Sequence, residues 1–256
     1  MKKRVAFCMS GAMAKKGNDE FSVKNSLYNP GEYYDYTICF NTIKRHIFEA
    51  NSDDYDFDIF CHSWNPDLEG EFRTLYQPKA AQFEDNRQYN DVISKLCRKD
   101  TEFSGVSRAL SMKKSIELKE AYEKENGAEY DIVISYRYDV LLWKDIILDI
   151  YTKLEDTIYI NADRTLNGDF HFIMNNETSK GFKLLYDSIE THQNYVVYHY
   201  WINNYIIRHM GKNVQVDKIL PGKHQECIRK IYECSIIPGN ITEEQLNSYR
   251  GVLHGT

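Results

Sequence analysis

The fold of this chain is predicted most directly by residues 130–140, which read Tyr-Asp-Ile-Val-Ile-Ser-Tyr-Arg-Tyr-Asp-Val. The β-branched run at residues 132–134 is typical of a short strand that is covered on both faces. Arg137 and Asp139 follow where this strand should leave the core. Ligands of open α/β sheets bind outside the carboxyl ends of the strands, so this pair marks a candidate ligand site. A surface salt bridge between the two side chains is the alternative interpretation.

The rest of the sequence alternates strand and helix signals, which predicts an α/β fold. Residues 4–9 and 57–61 have the character of buried strands, and apolar residues recur at helical spacing over 38–50. A helix over about 105–124 leads into the strand at residue 130. Such units predict a mostly parallel central sheet flanked by helices. Shorter strands are predicted over 79–84, 157–162, 169–174 and 213–216, and helices over 88–99, around 182–189, around 198–209 and after Thr242, where Thr242 and Gln245 form a capping-box pattern.

Length and composition favour one domain. The 256 residues are 42% hydrophobic and 27% charged, which is ordinary for a globular protein. No linker, repeat or low-complexity tract divides the sequence. We therefore predict a single domain over 1–256, in which a smaller mixed-strand and helical part begins at about residue 141.

The charge pattern argues against a nucleic-acid binder. The formal net charge is −6, whereas a protein that covers nucleic-acid phosphates needs a basic surface to displace their counterions. Basic residues do gather near the start of the chain. Such a patch suits phosphates or an anionic membrane surface, which leaves a peripheral membrane contact open, although solvated surface is the commoner outcome. The residues are Lys2, Lys3, Arg4, Lys15 and Lys16.

The six cysteines indicate a reducing compartment. They are scattered, and no two of them form the C-x-x-C pair of a zinc ribbon. Cys8 and Cys61 lie inside apolar runs and are expected to be small buried hydrophobes. No apolar run is long enough for a signal peptide or a membrane span. The predicted location is the cytoplasm. The basic patch allows the inner face of the membrane as an alternative location.

Polar residues follow three predicted strands in place of simple turn residues. Because the carboxyl ends of neighbouring parallel strands meet at one edge of a sheet, we expect these residues to line one site. They are Ser10 and Gly11 after the first strand, His62 and Trp64 after the second, and Arg137 and Asp139 after the strand at residue 130.

Each residue type suits a ligand that carries phosphate. Ser10 and Gly11 allow close approach of the backbone and offer N–H donors to phosphate. His62 could bind phosphate and Trp64 could stack on a ring, but a hydrogen-bonded structural histidine and a core tryptophan are the alternatives. Asp139 could coordinate Mg²⁺ or Mn²⁺, which keep open positions for diphosphate oxygens.

Further candidates lie outside these three strand ends. Lys113 and Lys114 belong to the long helix and could reach a diphosphate, although a solvated helix face is the commoner role. Asp169 precedes an alternating strand and is the best candidate for a general base, with an ordinary turn residue as the alternative. His224 and His254 are possible metal ligands, and we expect both to be inert.

These residues, in this order, resemble a family of small bacterial glycosyltransferase-like proteins that occur with capsule and surface-polysaccharide genes. The resemblance spans about residues 3–175. The segments that carry it are Met9-Ser10-Gly11, residues 57–64 (Phe-Asp-Ile-Phe-Cys-His-Ser-Trp), Ser111-Met112-Lys113-Lys114, residues 130–139 and Asn167-Gly168-Asp169-Phe170.

The resemblance implies a GT-A-like fold, which is a Rossmann-like sheet that binds a nucleotide sugar. Ser10 and Gly11 would meet the nucleotide, and Arg137 and Asp139 would fill the place of the metal-binding D-x-D motif. Arg137 replaces the first acid of that motif, which puts dependence on Mn²⁺ or Mg²⁺ in doubt. Asp169 would lie near the acceptor. The nucleotide-binding part would cover about 1–140 and the acceptor part about 141–256.

The sequence therefore predicts a glycosyltransferase that moves a sugar from a nucleotide-diphosphate sugar to a surface glycan acceptor. Motifs of other chemistries, such as a nucleophile elbow, a P-loop or H-E-x-x-H, are absent. Two alternatives remain open: a transferase of a phosphoryl-type group to a capsular sugar, and a noncatalytic glycan-binding or scaffold protein. The sequence leaves open the donor, the acceptor, the stereochemical outcome and the oligomeric state.

Overall fold

The protein folds as an α/β structure in which helices cover both faces of a mixed β-sheet. The computed structural model describes residues 2–15, 32–97, 102–162, 168–191, 198–221, 225–228 and 242–250. Its strands are β1 (Lys3–Gly11), β2 (Tyr55–Ser63), β3 (Ala80–Phe83), β4 (Ile132–Arg137), β5 (Val140–Leu142), β6 (Thr157–Ala162), β7 (His171–Met174), β8 (Asn213–Pro221) and β9 (Gln225–Cys227). Its α-helices are α1 (Tyr36–Ile43), α2 (Glu69–Tyr76), α3 (Asn90–Leu96), α4 (Phe103–Asn126), α5 (Asn176–Phe182), α6 (Tyr198–Asn204) and α7 (Glu243–Arg250).

The main sheet is mostly parallel, as the sequence predicts. Within the described residues its strand order is β3-β2-β1-β4-β7-β6-β8. Strands β3, β2, β1 and β4 run parallel to one another, and β6 and β8 are also a parallel pair. Strand β7 is antiparallel to both of its neighbours, β4 and β6. The carboxyl ends of β2, β1 and β4 therefore lie side by side at one edge.

The central strand β1 is buried on both faces because its side chains alternate between two apolar clusters. Phe7 and Met9 pack in the cluster that includes α1, whereas Ala6 and Cys8 pack in the cluster that includes α4. Cys8 and Cys61 are fully buried, which confirms the prediction for these two thiols. A strand without a polar face is typical of a parallel sheet that carries helices on both sides.

The long helix α4 confirms its prediction and lies across β1 and β2. Its predicted inner face, which includes Val106, Ala109, Met112 and Ile116, is buried in the second cluster. The same face carries polar side chains near the carboxyl edge of the sheet, and these contribute to the site described below.

Other elements differ from their predictions in extent. The predicted helix at 38–50 is α only over α1, and a π turn at Lys44–Phe48 and a 3-10 turn at Glu49–Asn51 continue it. The small antiparallel sheet of β5 and β9 was not predicted, because three-residue strands are too short to show periodicity.

The capping box before α7 forms as predicted. The Gln245 N–H donates to Thr242 Oγ1 at 3.1 Å, and the Thr242 N–H donates to Gln245 Oε1 at 2.9 Å. Helix α7 is held against α1 by the Asn41 side chain, which donates to the Tyr249 carbonyl at 2.8 Å. None of the helices in the described ranges combines the length and apolar content that a membrane span needs.

Candidate functional site

The three polar strand ends converge at the carboxyl edge of the sheet. Ser10 on β1 is the register partner of His62 on β2 and also of Arg137 on β4. Register partners lie side by side on neighbouring strands, so these three residues form one row at the strand ends. Gly11 lies beside Ser63 at the next position. The predicted convergence is confirmed, whereas a ligand-binding role for each residue stays a prediction.

Lys2, Lys3 and Arg4, the first part of the predicted basic patch, lie at the opposite edge, where β1 begins. Lys2 is 3.7 Å from Asp56, and Arg4 forms an ion pair of 2.5 Å with Asp58. Lys15, beyond the end of β1, is 3.8 Å from Asp67. These ion pairs offset part of the charge of the predicted basic patch, whose residues are divided between the two edges of the sheet. Lys16 lies outside the described residues. A peripheral membrane contact stays a prediction.

Arg137 lies between two carboxylates. Its Nε and Nη2 atoms each donate to one oxygen of Asp139 at 2.8 Å, and its Nη1 donates to the Asp169 carboxylate at 3.0 and 3.2 Å. Burial alone would lower the pKa of Arg137, but Asp139 and Asp169 raise that pKa well above its ordinary value, so the guanidinium stays charged. The ion pair that the sequence left as an alternative therefore forms, and it recruits Asp169 as well.

The turn that carries Arg137 and Asp139 is fixed by the residue between them. Tyr138 is fully buried and stacks on Phe72 of α2 with 4.9 Å between ring centroids. The Asp139 carbonyl accepts the Ile228 N–H at 2.8 Å, which ties the turn to the end of β9. Because Tyr138 points into the core, its two neighbours are held at the sheet edge.

Asp169 is positioned from strand β6. The Asn161 side-chain oxygen accepts the N–H groups of Phe170 at 2.7 Å and His171 at 3.2 Å, which fixes the entry into β7. A Cβ atom at Gly168 would lie 1.3 Å from the Asn161 carbonyl oxygen, so no other residue type fits there. Close packing of β6 against this segment thus sets the place of the second carboxylate.

The end of β1 bends sharply, but its donors already have partners. Gly11 has a φ of +108°, a conformation that side chains other than hydrogen disfavour. Its N–H donates to Ser111 Oγ at 2.7 Å, and its carbonyl accepts the Trp64 N–H at 3.0 Å. The Ser10 hydroxyl accepts a hydrogen bond from Nη1 of Arg108. The predicted donation from the Gly11 N–H to phosphate is therefore replaced by a bond inside the protein.

His62 is a buried structural residue. Its Nδ1 is 2.7 Å from Ser111 Oγ, and its Nε2 is 2.9 Å from Glu84. Burial lowers the pKa of His62, although Glu84 opposes this, so the ring is neutral near pH 7. The network then assigns the ring proton to Nε2, which donates to Glu84, while Nδ1 accepts from Ser111. Both ring nitrogens are engaged, which corresponds to the alternative that the sequence left open for His62.

The two lysines predicted to reach a diphosphate are engaged on opposite flanks of α4. Lys114 Nζ lies 2.8 Å from Glu84, whereas Lys113 Nζ lies 2.6 Å from Asp187. Burial opposes the ionised form of Glu84, but hydrogen bonds from His62, Lys114 and a tyrosine lower its pKa to about 2. Diphosphate binding by either lysine would require it to leave its carboxylate.

Trp64 is a core residue in this structure. It is 5% exposed, and its ring packs edge-on against His62 at 4.5 Å and tilted against Tyr89 at 5.4 Å. The predicted stacking on a ligand ring is therefore not what the geometry favours, because protein side chains already cover the indole.

Sequence reasoning assigned no role to Arg108 or Ser111, which reach the end of β1 from α4. A signal for them exists. Both are polar residues on a helix face whose other members, such as Ala109 and Met112, are buried and apolar. Polar side chains on such a face must find partners, and strand ends offer them.

A divalent ion does not fit the carboxylates as they are arranged. Both oxygens of Asp139 and both oxygens of Asp169 accept hydrogen bonds from Arg137. An Mg²⁺ or Mn²⁺ ion on either group would lie beside the guanidinium, and at roughly 5 Å in an effective dielectric constant of about 20 the two cations repel by about 7 kcal/mol. In the described part of the chain, no three His, Cys, Asp or Glu side chains group as a metal ligand set. The predicted His224 and His254 lie outside the described residues.

Comparison with known proteins gives a remote likeness to a glycosyltransferase. No family model matches the chain, and no curated protein matches it. Among solved structures, the chain is similar to the apo form of the glycosyltransferase GlyE of Streptococcus pneumoniae TIGR4, with 12% sequence identity and a TM-score of 0.39. The match covers 85% of this chain and 46% of that chain, so the chain spans about half the length of that protein. The likeness carries no argument about substrate or mechanism.

Proposed function

We propose that the protein is a glycosyltransferase that moves a sugar from a nucleotide-diphosphate sugar to a hydroxyl group of a surface glycan. The observation that carries this proposal is the row of Ser10, His62 and Arg137 at the carboxyl ends of three adjacent parallel strands. Nucleotide ligands of α/β sheets bind at this kind of edge. The motif resemblance noted in the sequence supports the same reaction class.

The proposed reaction needs two kinds of group, and this edge supplies both. The bond between the anomeric carbon and the diphosphate oxygen breaks, and the departing diphosphate keeps the electron pair. A guanidinium such as that of Arg137 stabilises the charge that develops there. The acceptor oxygen bonds to the anomeric carbon, and in an inverting reaction Asp169 takes its proton. A retaining reaction does not need that base.

A binding screen tests the proposal. Sugar nucleotides of the UDP, GDP and CMP classes should be added to the protein, with and without Mn²⁺, while thermal unfolding is followed. One class should raise the melting temperature by several degrees, because a ligand that binds only the folded state stabilises it. If no class shifts the melting temperature, a noncatalytic glycan-binding or scaffold role replaces the proposal.

A matched pair of variants tests the role of Asp169. Asp169→Asn should keep the donor-induced shift but lose most of the sugar transfer. Asp187→Asn changes an exposed carboxylate that pairs with Lys113 and should leave both measurements unchanged. Full sugar transfer by Asp169→Asn would remove this residue from the mechanism. If the unaltered protein transfers a phosphoryl-type group in place of a sugar, the alternative transferase that acts on a capsular sugar is favoured.

The cytoplasmic location, the association with capsule synthesis and the division near residue 140 stay predictions of the sequence.

A further inference from the structure

We propose that this site binds the donor's diphosphate without a divalent cation, and that the guanidinium groups of Arg137 and Arg108 supply the positive charge in its place. The inference rests on the proposed function, since it concerns how the same site stabilises the leaving diphosphate. It is carried by the partners of the two carboxylates and by the position of Arg108.

The carboxylates at this site are committed to a guanidinium. A Mg²⁺ ion needs carboxylate oxygens at about 2.0–2.1 Å in near-octahedral geometry. The Asp139 oxygens instead face the Nε and Nη2 atoms of Arg137 in a two-bond fork, and the Asp169 oxygens both face Nη1. A fork of this kind is the geometry in which arginine binds carboxylates and phosphates most specifically. Arg137 therefore occupies the space between the two carboxylates, where a metal ion shared by both would lie.

Arg137 is also placed to meet a ligand. Its side chain is 22% exposed, whereas those of Asp139 and Asp169 are 10% and 11% exposed. The carboxylates are thus more enclosed than the arginine side chain that they hold. Of the three side chains, that of Arg137 is the most open to a ligand that approaches the edge from solvent.

Arg108 brings a second positive charge to the same edge. Its Nη1 donates to the hydroxyl of Ser10, the register partner of Arg137, and lies 3.8 Å from where a Cβ of Gly11 would be. Arg137 with its two carboxylates carries one net negative charge, which by itself would repel a diphosphate. The charge of Arg108 cancels that excess. Arg137 at the end of β4 and Arg108, which reaches the end of β1 from α4, can then bind the diphosphate oxygens from two sides.

The first experiment measures metal binding directly. Chelator-treated protein should be titrated with Mn²⁺ alone, and the free ion followed by electron paramagnetic resonance. We expect no saturable site. UDP and GDP should then be titrated calorimetrically, once with a chelator present and once with Mn²⁺ present. For the nucleotide that binds, the affinities under the two conditions should agree within about twofold. A stoichiometric Mn²⁺ site that Asp139→Asn abolishes, or affinity that rises tenfold or more with Mn²⁺, would overturn the inference.

The second experiment tests the two arginines in the absence of metal. Arg137→Gln and Arg108→Gln should each weaken nucleotide binding at least tenfold, and Arg137→Lys should be intermediate because lysine keeps the charge but loses the fork. Arg4→Gln removes an ion-paired arginine at the opposite edge and should bind normally. Unchanged affinity in both glutamine variants would overturn the inference. If one of them fails to fold, the Mn²⁺ titration of the unaltered protein still decides.

The outcomes separate the two proposals. Nucleotide binding that appears only with Mn²⁺ overturns the metal-free site but supports the glycosyltransferase. Absence of nucleotide binding under both conditions overturns both.

Discussion

The side chain of Arg137 joins segments that are far apart in the sequence. Its guanidinium holds Asp139 in the adjacent turn and Asp169 before β7, and the backbone N–H of Arg137 donates to the Phe170 carbonyl at 3.2 Å. Such partly buried groups depend on one another, because removing one partner leaves a charge that is poorly solvated. At the scale of single residues, the site is therefore a charge network with a fixed geometry.

A substitution at Gly168 tests how tightly Asp169 is positioned. Gly168→Ala would place a methyl group on the Asn161 backbone carbonyl, so the turn must move, and we expect a loss of about 2 kcal/mol or more in the free energy of unfolding. Gly70→Ala is the control. Gly70 lies in α2 with open space around it, and alanine should stabilise the helix there by about 0.5–1 kcal/mol. Equal effects of the two changes in urea unfolding would contradict the packing described here.

The buried histidine and glutamate predict how stability depends on pH. Burial lowers the pKa of His62, and of His46, below 6.5. Below about pH 6.5 the unfolded chain therefore binds protons that the folded state excludes, and stability falls. The pKa of Glu84 is lowered from 4.5 to about 2, so its contribution to stability is present above pH 4.5 and is lost as the pH falls from 4.5 towards 2.

The glutamate part of this prediction can be isolated by substitution. Glu84→Gln should lower the free energy of unfolding at neutral pH. It should also reduce the loss of stability that occurs as the pH falls below 4.5. Glu71→Gln changes an exposed residue of α2 and should leave the decrease of stability below pH 4.5 the same as in the unaltered protein. If stability falls equally steeply below pH 4.5 in Glu84→Gln and in the unaltered protein, Glu84 is not the group responsible.

The candidate site could be predicted in part at the level of residues. Ser10, Arg137 and Asp139 were found because each follows an apolar run that reads as a strand. The engagement of His62 with Ser111 and Glu84 could not be predicted, because the three residues lie in separate parts of the chain: on β2, on α4 and directly after β3. Their proximity depends on how α4 lies over the sheet, and a single sequence does not contain that packing angle.

At the scale of elements, α4 organises the end of β1. Ser111 accepts the Gly11 N–H and donates to His62, so one hydroxyl joins helix, β1 and β2. The existence of α4 was predictable from apolar residues at helical spacing that end before Gly127. The π turn at Lys44–Phe48 was not, because its residues keep the spacing of an ordinary helix.

A pair of serine substitutions on α4 tests this role. Ser111→Ala leaves the Gly11 N–H and a His62 nitrogen without their partner, which should cost about 1–3 kcal/mol. Ser115→Ala removes an equally buried hydroxyl that donates only to the Met112 carbonyl of its own helix, and it should cost less than about 1 kcal/mol. Urea unfolding would measure both. If Ser115→Ala is the more damaging change, the hydroxyl of Ser111 is not what holds the strand end.

At the scale of the whole molecule, the sheet separates two kinds of surface. Its carboxyl edge collects Ser10 and Arg137, whereas its amino edge carries the ion-paired basic residues such as Arg4. The mostly parallel order was predictable, since strand and helix signals alternate in the first half of the chain. The antiparallel insertion of β7 between β4 and β6 was not, because alternation along a strand does not reveal its direction.

The central claim is that a nucleotide sugar binds at the carboxyl edge of β2, β1 and β4. The most direct measurement follows backbone amide chemical shifts of isotope-labelled protein as sugar nucleotides of the UDP, GDP and CMP classes are added. The claim predicts saturable shifts at residues 12–15, 64–65 and 137–139, with none at the amino-edge turns around Asp54 and Asp131. Shifts confined to the amino edge, or no saturable shifts with any class, would contradict it.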